Sequence, residues 1–537
     1  MSELKAPFVQ KSESLSEQLP VQRTLVSRVG VFLRHRWVLG LLVCLFVLES
    51  RFYTIKRFGV QEPYMDSFSE VYDYKPTVEA DWATVFANSL RPNNEHRIAL
   101  TRWTNVGLFL LDGEKWDLLT EACFNAILAG LLAAAFFLGV GRYFNGPAFL
   151  FFGFVVVLAF GLPISYENII WGFQSQHFYF ILLSVVAISC TVGVKPWSRI
   201  SWLGLLAGAL SCLALASGFF GLLAVLAVFA LMALRREYRS GDLALAAAIC
   251  LVLLIAAMPL LFGVPSDPSY RAHSAVQFLW ALAGNLAWPN IAPPLRGIGL
   301  LIQLPFLALT IAALVRSQAL PRSSYVIVGL GIFNAMIAVT LAYARGAYVP
   351  YVRYFDYNAL NLVVNGTALL ELGRLQLFPR LSSVWKRIIF LGWAAAAMAG
   401  CWVLAGQAWN HDLPLRKAEL INERSAIHAF FTTHDPEVLA SPDLNGTFPF
   451  DAKYAKRTAS SLSDPEVYRF LPNAMKPEFG QLDNREPLSE VRRGILRRSD
   501  YLLVGVSVLI AIVAAAMLLA DRSIRGVLLN LREVLTP

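Results

Sequence analysis

Stretches of about twenty apolar residues recur along nearly the whole chain, and they restrict what it can fold into. Backbone inside a hydrocarbon layer must satisfy its own hydrogen bonds, and a helix does so within a single segment. Spans are expected near 37–52, 118–139, 146–164, 176–194, 201–217, 219–234, 243–263, 296–316, 323–343, 356–373, 387–407 and 501–521. That is about twelve crossings, with both termini on one side. Composition agrees, since only 15% of residues are charged where a soluble globular chain carries about 25%. The expected fold is an all-α polytopic membrane protein.

The short loops set the orientation. "KPWSR", "RREYRSGD", "RSQALPR" and "GRLQLFPRLSSVWKR" fall on the side of the basic N-terminus, and loops rich in Lys and Arg stay cytoplasmic. This bias explains the net charge of +9 without a nucleic-acid partner. The stretch 274–294 is apolar but broken by Gly284, Pro289, Pro293 and Pro294, so it is expected to be interfacial or re-entrant. All six cysteines lie in apolar stretches with no CxxC pair, as small packing residues and neither metal ligands nor a disulfide frame. The resulting map has a cytoplasmic tail at 1–36 without a cleavable-signal pattern and a membrane core at 37–407 that includes an outer loop at 53–117. An extracytoplasmic segment at 408–500, a last span at 501–521 and a second cytoplasmic tail at 522–537 complete it.

Chemistry-bearing residues collect in the outer loops. "VQEPYMDSFSEVYDY" places Asp66, Glu70 and Asp73 just after the first span, in a loop whose Trp82, Phe86, Trp103 and Trp116 suit interfacial helices. Held at the bilayer surface, Asp66 is either a general base toward a hydroxyl or a solvated loop carboxylate. In "SYENIIWGFQ", Glu167 stands among Tyr166, Asn168, Trp171 and Gln174. Ring faces and amides of this kind suit a sugar, and the aromatics equally suit anchoring at a membrane interface. "YARGAYVPYVRYFDY" brings Arg345 and Arg353 to a span mouth, as bidentate phosphate ligands or as snorkelling side chains. In "NNEHR", His96 and Arg97 add a proton donor and a further phosphate ligand, and Arg271 and His273 are further outer cationic groups. A divalent metal on Asp66, Glu95 and His96 is an alternative that no HExxH-like spacing supports.

In loop order and in these stretches the chain resembles the GT-C class of integral membrane glycosyltransferases. "NEHRI", "ENIIWGFQSQ" and "RYFDYNALNLVVN" are similar to stretches in a group of bacterial GT-C-like proteins. The resemblance implies an acid soon after the first span, here Asp66, and a second between spans three and four, here Glu167, as catalytic residues. It implies a polyprenyl-phosphate sugar donor whose phosphate meets Arg353, Arg345, Arg97 and His96. A sugar or acceptor would lie against Glu70, Glu95, Tyr166, Asn168, Trp171 and Gln174. The acceptor would be a glycan, glycolipid or protein at the outer face of a bacterial cytoplasmic membrane, with no cofactor. Asp66 lacks a paired neighbouring acid and there is no WWD signature, so single-sugar transfer fits better than oligosaccharide transfer or protein mannosylation, and the resemblance implies inversion. Two alternatives remain, a flippase of lipid-linked sugars and a polysaccharide polymerase or ligase.

Overall fold

The computed structural model describes residues 36–520 apart from 62, 64, 237–239, 266, 317, 348–350, 378–380, 441–451 and 480–485. The two expected cytoplasmic tails lie outside the described residues, Arg36 excepted. Helices dominate, and among the described residues the only β-pairing is an isolated bridge between Asn93 and His96. The main helices are α1 (Arg36–Phe58), α2 (Val71–Val78), α3 (Trp82–Ser89), α4 (Ala99–Leu111), α5 (Leu118–Gly139), α6 (Gly146–Phe160), α7 (Ser175–Val192) and α8 (Arg199–Ser211). They continue as α9 (Phe220–Leu234), α10 (Ser240–Ala257), α11 (Ala275–Ala287), α12 (Leu304–Val315), α13 (Arg322–Ala344), α14 (Leu360–Arg374), α15 (Ser383–Gln407), α16 (Leu413–Thr433) and α17 (Pro487–Ala520).

Among the described residues, 10 helical stretches are long and apolar enough to cross a membrane. The expected spans 201–217 and 356–373 form helices too, but α8 has 13 residues and α14 has 15. At 1.5 Å per residue α8 alone rises about 20 Å, whereas the helical run from Phe355 to Arg374, broken only at Ala359, rises about 30 Å, the thickness of a hydrocarbon core. After α8 the chain doubles back so closely that a Cβ on Gly218 would sit 1.9 Å from the Ser211 carbonyl oxygen, a contact only glycine permits. The stretch 274–294 contributes α11, a 13-residue helix, and then the buried Trp288.

The polar segment after residue 407 starts without a break. α15 runs through a π-turn at Ala408–Asp412 into α16, giving one helical stretch of 51 residues from Ser383 to Thr433. The last helix likewise begins well ahead of its apolar part. Ser489 donates to Asp112 and Asp117, and Arg492 pairs with Asp117 at 3.0 Å, which pins the start of α17 onto the capped N-terminus of α5.

The first-loop helices pack under this segment. Tyr74 stacks on Phe109 with centroids 4.4 Å apart, and Trp116 and Phe470 close the cluster edge-on. Trp82, Phe86 and Trp103 stay exposed, as expected for interfacial rings, but Trp116 is fully buried and belongs to the core.

One ion pair crosses the bundle. Arg51 in α1 donates to Asp356, just ahead of α14, at 3.0 Å, with both side chains almost fully buried. Asn168 donates to the second oxygen of Asp356 at 2.9 Å, and Arg51 lies over the Phe178 ring. A buried charge left without its partner is strongly destabilising, by about 3–5 kcal/mol. Asp356→Leu is therefore expected to lower the melting temperature of the detergent-solubilised protein sharply, and Arg51→Met added to it should restore most of the loss. Additive losses in the double variant would mean that the two charges do not depend on each other.

Candidate functional site

Three loop segments meet at the end of the bundle where α1 finishes. Asp66 lies in the first turn of a 3-10 helix at Met65–Glu70. Glu167 opens the short helix Tyr166–Ile170. Arg353 sits in a 3-10 turn at Val352–Tyr354, shortly before α14. Arg353 joins the other two, with Nη1 at 3.8 Å from Asp66 and Nε at 3.5 Å from Glu167. Its guanidinium lies over the Trp171 ring, 4.6 Å from the centroid, and the Trp171 indole donates to Ser67 at 2.6 Å. Asp66, Arg353 and the pair Glu167 and Trp171 thus come from three separate stretches that the fold brings into one cluster.

The two carboxylates differ in their surroundings. Glu167 is buried, and its other oxygen accepts from Arg416 of α16 at 3.0 Å, so two guanidiniums occupy it. Asp66 accepts from Asn94 at 3.2 Å and keeps about a third of its side chain open (32%), so a ligand can reach it. It faces a cavity of about 260 Å³ that His96, His177, Gln176, Arg271, Arg345, Arg353, Tyr354 and Tyr357 also line.

Within that cavity Arg345 grips both oxygens of Glu95, at 3.0 and 2.6 Å, and donates to Tyr354 at 2.9 Å. Glu95 therefore lines the cavity as an ion-pair partner. Burial holds the His96 imidazole down at a pKa of about 4, so it is neutral, and its Nδ1 has no hydrogen-bond partner. His177 is equally buried, bonding Tyr357 through Nδ1 while Nε2 is left without a partner. Among the described residues no three His, Cys, Asp or Glu side chains group as metal ligands.

Several expected site residues point elsewhere. Arg97 is spent on backbone, donating to the carbonyls of Leu90, Leu260 and Phe262, and does not line the cavity. Asn168 holds the loop together through the Arg353 carbonyl and Asp356. Gln174 is buried and accepts from Gln176, which takes its place on the cavity wall. Tyr166 packs against the cluster containing Phe52 and Phe58. Glu70 lies away from the cavity, where Asn105, Trp116 and Tyr74 surround it and Tyr74 also reaches Glu121 at 3.0 Å.

The residues that sequence reasoning missed are Arg416, Gln176 and His177. Gln176 and His177 carry no separate signal in "FQSQH", although they open α7 with one face toward the cavity. Arg416 carries no local signal in "LPLRKAEL", because its role comes from α16 folding back over Glu167.

No known protein family and no curated protein matches the chain. Among solved structures, the crystal structure of ArnT from Cupriavidus metallidurans bound to undecaprenyl phosphate is similar, with 18% sequence identity and a TM-score of 0.39. The match covers 80% of this chain and 76% of that one.

Burial pushes the Glu70 carboxyl up to about 8, against an unfolded carboxyl near 4.3. Between those values the folded protein binds the extra proton, so the stability it gives is complete at low pH and is lost as pH rises toward about 8. Melting temperatures measured from about pH 5 to about pH 8 are expected to fall in the wild type. In Glu70→Gln, whose amide has no proton to lose, the decline should be shallower. Parallel declines in the two proteins would assign the pH dependence to other groups.

Proposed function

We propose that the protein is a GT-C-type membrane glycosyltransferase that moves a single sugar from a polyprenyl-phosphate donor to an acceptor hydroxyl. The acceptor is a glycan, glycolipid or protein. The observation that carries this reading is a reachable carboxylate, Asp66, lining one cavity with Arg345 and Arg353, the latter held from behind by Glu167. Such a displacement needs a base and a leaving-group stabiliser bordering one cavity, on opposite sides of the reacting carbon, and Asp66, Arg345 and Arg353 border one here.

In the proposed step Asp66 takes the proton from the acceptor hydroxyl as its oxygen bonds to the anomeric carbon. The bond from that carbon to the phosphate oxygen breaks on the opposite face, which inverts the centre. The departing phosphate gathers charge that Arg353 and Arg345 neutralise through guanidinium hydrogen bonds. His96 and His177 offer unsatisfied ring nitrogens to hydroxyls of the bound sugar. Glu167, enclosed by Arg416 and Arg353, is a positioning residue that aims Arg353. The step calls on no cofactor.

With short basic loops cytoplasmic, both termini lie inside and the cavity opens at the outer face of a bacterial inner membrane, where donors must be lipid-linked. Transport of the lipid-linked sugar is the rival reading. It places ionisable residues near the bilayer midplane, whereas here they gather at one end of the bundle.

A positioned base contributes about 100-fold to 10,000-fold, or roughly 3–5 kcal/mol of barrier. Membranes carrying the wild type should transfer label from a polyprenyl-phosphate sugar to endogenous acceptors, and Asp66→Asn should lose activity by that factor at normal expression. A loss below about tenfold would return Asp66 to a structural role. Labelled donor crossing reconstituted vesicles without transfer would favour the flippase.

A further inference from the structure

A second depression, of about 620 Å³, lies apart from the cavity, between the end of α1, the start of α16 and the middle of α17. Lys56, Arg57 and Lys417 face it together with Asp500, Leu503 and Val504. The single acid is already engaged, since Asp500 pairs with Lys56 at 2.6 Å. Lys417 gives one proton to the Arg57 carbonyl and retains two more. The Arg57 guanidinium makes no hydrogen bond or ion pair among the described residues. Arg497 precedes Asp500 by one helical turn and so extends the same face of α17 with a further exposed cation. The groove therefore carries an uncompensated positive charge.

Its position narrows what can neutralise that charge. α1 has 23 residues, about 34 Å of rise, so Lys56 and Arg57 sit at the edge of the bilayer that the helix crosses. Below the cations the wall becomes apolar, and Val504 and Val508, one turn apart on α17, are 64% and 53% exposed. A soluble anion would have no use for that apolar stripe. A lipid would use both parts, with its phosphate among the cations and its chains along the valines. Under the orientation proposed above, these Lys and Arg residues also stand on the side that the positive-inside bias disfavours.

We propose that this groove seats the headgroup phosphate of an anionic membrane phospholipid. The site is separate from the cavity and holds whether or not the cavity transfers a sugar. Lys417 follows Arg416 directly in α16, so the bound lipid touches the helix that supplies a partner to Glu167.

The test uses the full-length protein in nanodiscs of phosphatidylcholine with and without phosphatidylglycerol. Bound lipid is read by native mass spectrometry and stability by thermal melting. The wild type is expected to retain phosphatidylglycerol in preference to phosphatidylcholine and to melt higher in its presence. Arg57→Gln with Lys417→Gln should weaken retention roughly tenfold or more. Arg497→Gln serves as a second, milder variant, and Lys386→Gln, exposed on α15, should change nothing. Equal melting of wild type and double variant in pure phosphatidylcholine would tie the loss to the groove. Undiminished retention in both groove variants, or no preference in the wild type, would overturn the proposal. So would millimolar inorganic phosphate raising the wild-type melting temperature as much as phosphatidylglycerol does.

Discussion

The pairing of Arg51 with Asp356 is the constraint on which the site depends. Neither charge can sit alone in a low-dielectric bundle, so α1 and the segment ahead of α14 are obliged to meet. Asn168 then fills the free oxygen of Asp356 and draws the second loop to the same point. Arg353 precedes Asp356 by one turn and Glu167 precedes Asn168 directly. Fixing the buried pair therefore fixes the contact between Arg353 and Glu167. An apolar replacement could match the energy of such a pair but would not set this register.

The same economy of charge separates roles at the cavity. Glu167 has both oxygens occupied by guanidiniums and is sealed from solvent, which suits a residue that orients others. Asp66 shares Arg353 at the longer distance and remains reachable, which suits one that exchanges a proton with a ligand. Arg345 is tied to Glu95 by two short hydrogen bonds, so an incoming phosphate must compete with that carboxylate. Arg353 is also claimed by carboxylates, Glu167 and Asp66, but at the longer 3.5 and 3.8 Å, with its cation resting on the Trp171 face.

Much of this was legible in the sequence, for physical reasons. Long apolar runs have few solutions in a bilayer, and acids flanked by aromatics in the loops were bound to lie at one face. Three-dimensional direction was not legible. Asp66 and Glu70 look equivalent along the chain, yet they share a 3-10 helix of three residues per turn, so side chains four apart diverge by about 120°. One reaches the cavity and the other is buried under Trp116. Arg97 and Arg345 are both outer-loop cations along the chain, but backbone carbonyls of Leu260 and Phe262, just beyond α10, lie within reach of Arg97 and claim it. The boundary at 407 followed the drop in hydropathy, a signal that does not register a helix continuing as it leaves the membrane.

That continuation matters because α16 turns Arg416 toward Glu167 and Lys417 into the groove. Adjacent residues on an α-helix point about 100° apart, so Arg416 can face Glu167 while Lys417 faces outward to the end of α1. Which of the two faces inward is a question of helical phase, and the π-turn at Ala408–Asp412 inserts its extra residue just ahead of them. Without that insertion, the straight continuation of α15 would bring the next residue of α16 to the position that Arg416 holds. A local widening of one turn thus decides which cation completes the Glu167 pair and which stands in the groove.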